Sequence, residues 1–375
     1  MEWKIQNSNE LLDCIAASWG KCVYIAGAGK FGKLMGKFLN QKGVQWKGYV
    51  DKKTNISPIE GKEVFPYSNK YEPDEFFIVS SYISGEAIVN ELKRIGISDN
   101  NIIVLPYIRD IIHDISECLV DISKYTKKIE KFRHQYLGQR CFIIGNGPSL
   151  KISDLDRLKS ENTFACNSIY ASYSSTAWRP TFYCAYDHIF CRKMMSRKKD
   201  IEKLLSGCKA AFTSVLCEGF EYRDCQDMQN LYYAKIIHKY DDKTGLPLFS
   251  EDCSKQIYSA ATVAYMMMQL AVYMGFQEIY LLGIDASYSV ERHKDGTIDL
   301  YQVENHSKIL EEEENKFKKD TIETFGYEIL SDVDLHLDGY MAARNFADEH
   351  GIKIYNAARG GKLEVFERVN FDSIF

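Results

Sequence analysis

The chain has no excess of basic charge, no C-x-x-C pair, and neither of the short motifs that mark zinc-dependent or serine hydrolysis. Its 47 Lys and Arg stand against 52 Asp and Glu, a formal net charge of -5, so no broad basic field suggests a nucleic-acid partner. Eleven Cys is an odd number, and reduced thiols in a cytoplasmic protein fit it best. Met1 to Glu10 reads MEWKIQNSNE, without an apolar run, so no secretory leader is expected. Work at the inner face of the membrane stays open. Neither H-E-x-x-H nor G-x-S-x-G occurs, which disfavours a zincin site and a serine-hydrolase elbow. The stretch from Gln256 to Gln277 carries no charge, but Ser259, Thr262 and Gln269 interrupt it and it runs into the strand-like residues 278–283. A buried helix is the expectation there, and no transmembrane segment.

What is present points to an α/β protein with two Rossmann-like domains. At 375 residues the chain exceeds one ordinary hydrophobic core, and 25 Tyr and 20 Phe leave little room for long disordered stretches. In residues 1–107, short β-type runs at 22–26, 46–50, 76–80 and 101–105 alternate with helical patterns at 30–41 and 89–96. That alternation predicts a small parallel sheet. Residues 108–140 read as a helical connector, with Lys124, Lys127, Lys128 and Lys131 on a solvated face. A second series, over 141–375, has strand candidates at 141–144, 163–166, 181–185, 210–214, 279–283 and 352–355 and a helix at 259–274. It predicts a doubly wound, mostly parallel sheet, which binds ligands at the C-terminal strand ends where the strand order switches.

Gly27-Ala28-Gly29-Lys30-Phe31-Gly32 is a G-x-G-x-x-G between a strand and a helix, and Asp51 ends the next strand. Glycines at that spacing let a backbone approach phosphate, and the acid suits ribose hydroxyls, so NAD is one reading. The domain also resembles small nucleotide-sugar or NAD-like domains on bacterial sugar-modifying enzymes, which do not all bind a cofactor. Tight helix–strand packing around an empty site is the other reading. A P-loop is disfavoured because Leu34, not Ser or Thr, follows Gly32-Lys33.

In the second series, Gly145-Asn146-Gly147-Pro148-Ser149 follows a strand, as do Asn167, Asp187 and Asp285 with Tyr288. Four polar tips at four strand ends suit one crevice. The first has two glycines for close approach, a proline to set the turn, and amide and hydroxyl donors for phosphate. Asp285 reads equally as a metal or ribose ligand or as a carboxylate capping its turn. Arg359-Gly360-Gly361-Lys362 reads equally as a phosphate clasp or as a glycine turn with solvated charges. The D-x-D pairs Asp154/Asp156 and Asp332/Asp334 are read as solvated surface acids rather than metal ligands.

GNGPSL, ACNS, TFYCAYD, SAATVAYMMMQLAVYMGFQEIYLLGID and IKIYNAARGGKLEVFERV, in that order, resemble the family of MptE-like 6-hydroxymethylpterin diphosphokinases and motility accessory factor (Maf) glycosyltransferases. The set is also similar to the bacterial sialyltransferases that use CMP-activated sialic acid. The resemblance covers about residues 141–369. It implies that Gly145, Asn146, Gly147, Pro148 and Ser149 hold the nucleotide phosphate and ribose, and that Asn167 reaches the phosphate or leaving group. It further implies that Ser259 faces the base and Tyr288 donates to the leaving phosphate. Asp187 stands where the sialyltransferases carry Asn. His336 lies close to the place of their histidine base, in a different local motif. His293 competes with it, because Maf-like and MptE-like chains often place a histidine after the aspartate–tyrosine segment, and His306 is weaker.

The leading expectation is a glycosyltransferase that moves a sugar, such as a nonulosonic acid, from a CMP-linked donor to a glycan or surface-polymer acceptor. One alternative is diphosphate transfer from ATP to a hydroxymethylpterin, with Asp187 and Asp285 as Mg2+ ligands. Another is a nucleotide- or NAD-binding module without turnover. A homo-oligomer stays open.

Overall fold

The computed structural model describes residues 5, 8–17, 21–54, 58–59, 61–81, 84–105, 111, 115, 119, 122–186, 204–205, 207–214, 229–287, 289–292, 298–301 and 333–375. The chain divides into two units, Met1–Ile122 and Ser123–Phe375.

The first unit is a five-stranded parallel sheet of β1 (Val23–Ala26), β2 (Gly48–Val50), β3 (Val64–Phe65), β4 (Phe76–Val79) and β5 (Ile102–Val104), in the order β3-β2-β1-β4-β5. Its central strands β1 and β4 are buried on both faces, which is why they read as unbroken apolar runs. On one face Val23, Ile25, Phe76 and Ile78 pack against Met35, Phe38 and Leu39 of helix Lys30–Gln41 and against Leu11 and Ile15 of helix Ser8–Ala17. On the other, Tyr24, Ala26, Phe77 and Val79 pack against Leu92 of helix Gly85–Arg94. The short edge strand β3 has no counterpart among the expected strands.

The second unit is built on an eight-stranded parallel sheet: β6 (Arg140–Ile144), β7 (Thr163–Cys166), β8 (Phe182–Ala185), β9 (Ala210–Ser214), β10 (Leu231–Ala234), β13 (Glu278–Leu282), β16 (Lys353–Asn356) and β17 (Glu367–Arg368). The order is β10-β9-β8-β7-β6-β13-β16-β17, so it switches between β6 and β13. Two small pairs lie outside it: β11 (Ile236–Ile237) with β12 (Ile257–Tyr258), and the antiparallel β14 (Ser289–Arg292) with β15 (Ile298–Tyr301). Both domains are thus Rossmann-like α/β, as expected, and the second gains β10 and β17 at its edges.

The charge-free stretch becomes β12 and helix Val263–Met274, which is buried almost all round and ends on Gly275 in the left-handed region (φ +98°). Among the described residues no helix is long and apolar enough to cross a membrane. The stretch 108–140 is not one helix. A turn of α-helix at Ser123–Thr126 passes into a 3-10 segment at Lys127–Phe132, and His134 and Gly138 take positive φ. Ile111 and Ile115 belong to the core of the first unit, whereas Ile129, Phe132 and Tyr136 belong to that of the second.

Candidate functional site

The switch in strand order sets β6 and β13 side by side with their C-terminal loops in contact. The loop glycines serve that contact. A Cβ at Gly145 would stand 2.4 Å from the Gly283 carbonyl oxygen, and one at Gly147 would stand 2.6 Å from Oδ2 of Asp285. Gly145 N–H donates to Leu282 and Gly147 N–H to Gly283, both at 2.8 Å. Asp285, 5 % exposed, then receives the Ser149 N–H on Oδ2 at 2.8 Å and the Ser149 hydroxyl on Oδ1.

A third loop closes over the backbone of the same residue. Lys362 N–H donates to the Asp285 carbonyl at 2.6 Å, and a Cβ at Gly361 (φ +84°) would lie 2.4 Å from that oxygen. Asp285 is therefore the brace of three loops, its carboxylate holding the loop after β6 and its carbonyl the loop after β16. Arg359 is likewise engaged. Its guanidinium grips Asp154 through Nε and Nη2 at 2.8 and 2.9 Å, and reaches Asp372. Asp154, at 1 % exposure, is a buried ion-pair partner and not the solvated acid its motif suggested. Asp156 accepts from the Thr176 hydroxyl and pairs with Lys159.

Beside these engaged donors, two buried acceptors stand at the described strand ends. Asn146 donates through Nδ2 to the Cys166 carbonyl at 3.3 Å, which fixes its amide orientation and leaves Oδ1 buried without a partner among the described residues. Asn167, next in chain to Cys166, is held in the left-handed region (φ +47°), and its carbonyl accepts from the Tyr183 hydroxyl at 2.7 Å. Its Oδ1 is also buried and unpartnered among the described residues. Buried amide oxygens are nearly always satisfied, so these two, at adjoining strand ends, call for an N–H or O–H from water or a ligand.

A second cluster forms around Ser259. Its N–H donates to Ile237 and its hydroxyl accepts from the Ala261 N–H, which turns Ala261 into the left-handed region (φ +54°). The Ala261 carbonyl is 2.9 Å from Nε2 of His336, on helix Val333–His350. Gly339 of that helix seats it, since a Cβ there would stand 2.4 Å from the Ala260 Cβ. The structure thus joins Ser259 to His336, a pairing that their 77-residue separation hides. It also brings in Cys166, Gly283 and Gly361, which act through backbone groups or lack of a side chain; only the glycines left any trace in the sequence. Asp187, Tyr288, His293, His306 and Asp332 lie outside the described residues. Among the described residues no group of three or more His, Cys, Asp or Glu is placed to hold a metal ion. The buried thiols of Cys141 and Cys184 are pushed well above the ordinary cysteine range by loss of solvation, so they are not poised nucleophiles.

Residues 116–291 match the family model described as 6-hydroxymethylpterin diphosphokinase MptE-like, the family that the ordered motifs resemble. No curated protein matches the chain in sequence. Among solved structures it is similar to a Maf glycosyltransferase from Magnetospirillum magneticum AMB-1, at 12% identity over 94% of this chain and a TM-score of 0.39. The chain spans 58% of that protein's length. It is also similar to the Campylobacter jejuni sialyltransferase CstII in complex with CMP-3FNeuAc, at 15% identity over 62% of this chain and 86% of that one, TM-score 0.36. The sialyltransferase Cst-I of the same organism matches at 14% identity over 62% and 81%, TM-score 0.34.

Proposed function

We propose that the second unit is a glycosyltransferase that takes a sugar, of the nonulosonic acid class, from a CMP-linked donor and passes it to a glycan or surface-polymer hydroxyl in the cytoplasm. The observation that carries the reading is the pair of buried acceptors, Asn146 Oδ1 and Asn167 Oδ1, without a partner among the described residues and at the ends of β6 and β7 beside the strand-order switch. A cytidine nucleotide offers what they lack, ribose hydroxyls and an exocyclic amine, whereas a phosphate oxygen offers no hydrogen. The Gly145–Ser149 loop would then hold the ribose side of the nucleotide, and Tyr288 is the proposed donor to the leaving phosphate. The chain would act by holding donor and acceptor in register.

His336 is the proposed base. Its Nε2 lies 2.9 Å from the Ala261 carbonyl, which ties the imidazole to the Ser259 turn, and an imidazole is the side chain suited to taking an acceptor hydroxyl proton near neutral pH. The family description favours a second reading, diphosphate transfer from ATP to a hydroxymethylpterin with Mg2+ on Asp187.

The test is a pair of assays on the full chain. One measures release of CMP from a CMP-activated nonulosonic acid with a glycan acceptor. The other measures AMP formation from ATP, Mg2+ and 6-hydroxymethylpterin. Acceptor-dependent CMP release that survives chelation supports glycosyl transfer; AMP formation alone overturns it.

A further inference from the structure

We propose that the first unit carries a nucleotide site of its own, formed by the Gly27–Gly29 loop, Asp51 and Ser80, that takes the diphosphate and ribose of a diphosphate-linked ribonucleoside. The inference stands apart from the reading of the second unit, whose residues it does not use.

The three glycines of the motif have different reasons to be there. Gly27 needs its lack of a side chain for φ +105°, and a Cβ on Gly32 would stand 1.9 Å from the Gly27 carbonyl oxygen, so the fold itself requires both. Gly29 is different. Its backbone (φ −70°, ψ −165°) suits any residue, and a Cβ there would meet no protein atom within 4 Å. Helix–strand packing, the alternative explanation of the motif, therefore accounts for two glycines and leaves the third. A bare backbone facing outward at that point is what an approaching diphosphate requires.

Gly29 is also the N-cap of the 12-residue helix Lys30–Gln41, which has no side-chain cap and no acidic residue in its first turn. Its positive end thus lacks compensation from within the helix.

An independent sign comes from Ser80, one residue past β4. It is 2 % exposed, yet its hydroxyl has no hydrogen-bond partner among the described residues. Its N–H continues the sheet ladder to the Ala26 carbonyl at 2.9 Å. Strand alternation puts it on the face of Phe76 and Ile78, the face that helix Lys30–Gln41 covers. Its carbonyl lies 3.2 Å from where a Gly27 Cβ would stand. The unpaired hydroxyl thus sits at the base of the crevice between β1 and β4, under the start of the helix, at the point where the strand order switches.

Asp51 completes the arrangement from the end of β2. Its Oδ2 accepts the Ala28 N–H at 2.8 Å and its Oδ1 the Lys53 N–H at 3.0 Å, which holds the carboxylate at the rim of the loop. Each oxygen keeps a second lone pair, the acceptors a ribose diol calls for. NAD and a nucleotide-sugar share the chemistry these groups recognise.

The experiment is titration calorimetry of the full chain with NAD, ADP-ribose and UDP-N-acetylglucosamine. The wild type should bind at least one of them, and which one decides between a dinucleotide and a nucleotide-sugar. Gly29→Val should weaken that binding by about tenfold or more while its thermal unfolding matches the wild type, because the added atoms meet no protein. Asp51→Asn should weaken the same ligand and spare inorganic diphosphate. The proposal is overturned if none of the three binds at millimolar concentration, if Gly29→Val binds as the wild type does, or if Asn146→Ala in the second unit abolishes the binding.

Discussion

Ser149 and Asp285 are joined twice, by the Ser149 N–H on Oδ2 at 2.8 Å and by the hydroxyl on Oδ1, which ties the loops after β6 and β13 together. The carboxylate takes two donors that the sequence offers to a phosphate. Asp285→Ala leaves both without their acceptor, and charge-assisted bonds of this kind contribute about 1.5–3 kcal/mol each. Chemical denaturation should show a loss in that range or above for Asp285→Ala, and a smaller one for Asp285→Asn, which keeps one acceptor. Equal stability of Asp285→Ala and wild type would remove the brace from the account.

Asn167 separates backbone need from ligand need. Its left-handed φ of +47° suits Gly as well as Asn, so Asn167→Gly should fold with nearly unchanged stability. Its CMP affinity should fall by about tenfold or more, since the unpartnered Oδ1 is gone. Asn146→Ala should lose CMP affinity similarly. Calorimetry that finds both variants binding CMP as tightly as the wild type would refute the assignment of these oxygens to the nucleotide.

His336→Ala should bind CMP normally and lower turnover by about 10²–10⁴-fold, the usual effect of removing a general base. His293→Ala is the matched control. Turnover lost in His293→Ala and kept in His336→Ala would move the base to the segment after Asp285.

Gln269 sits at zero exposure inside helix Val263–Met274 and uses its whole amide: Oε1 accepts from Ser250 and Tyr258 N–H at 3.0 and 2.9 Å, and Nε2 donates to the Tyr258 and Tyr265 carbonyls. Gln269→Leu fills the same volume but strands two buried N–H groups, so a loss of about 2–5 kcal/mol is expected. A melting temperature within a degree or so of the wild type would show that the network adds little.

The C-terminal ion cluster predicts an acid dependence. Hydrogen bonds and charge from Arg359, and then Arg157, hold Asp372 down to about 2. A carboxylate with a lowered native pKa contributes stability above its unfolded value, about 4, and loses it as the pH falls toward 2. Asp372→Asn should therefore be less stable than wild type at pH 6, with the gap closing between about pH 4 and pH 2. A gap that stays constant over that range would locate the contribution outside the ion pairs.

The sequence by itself determined the two-domain α/β plan, ten of the strands, and the places of the tips at Gly145–Ser149, Asn167 and Asp285. Buried parallel strands must be short apolar runs, and glycine loops must follow them, so both leave a local record. The edge strands β3, β10 and β17 left little, two of them being only two residues long. What only the tertiary structure decided is which donors at those tips are already used. The partner of Ser149 stands 136 residues away, that of Arg359 stands 205 away, and neither pairing is written in any local spacing. The loop that reads as a row of donors for phosphate is tied to Asp285, and buried beside it is a pair of acceptors without a partner among the described residues. In the first unit, all three glycines of the motif look alike in the sequence. Only the packing around them separates the two that the fold needs from Gly29, because a steric requirement exists solely where another part of the chain has been brought close.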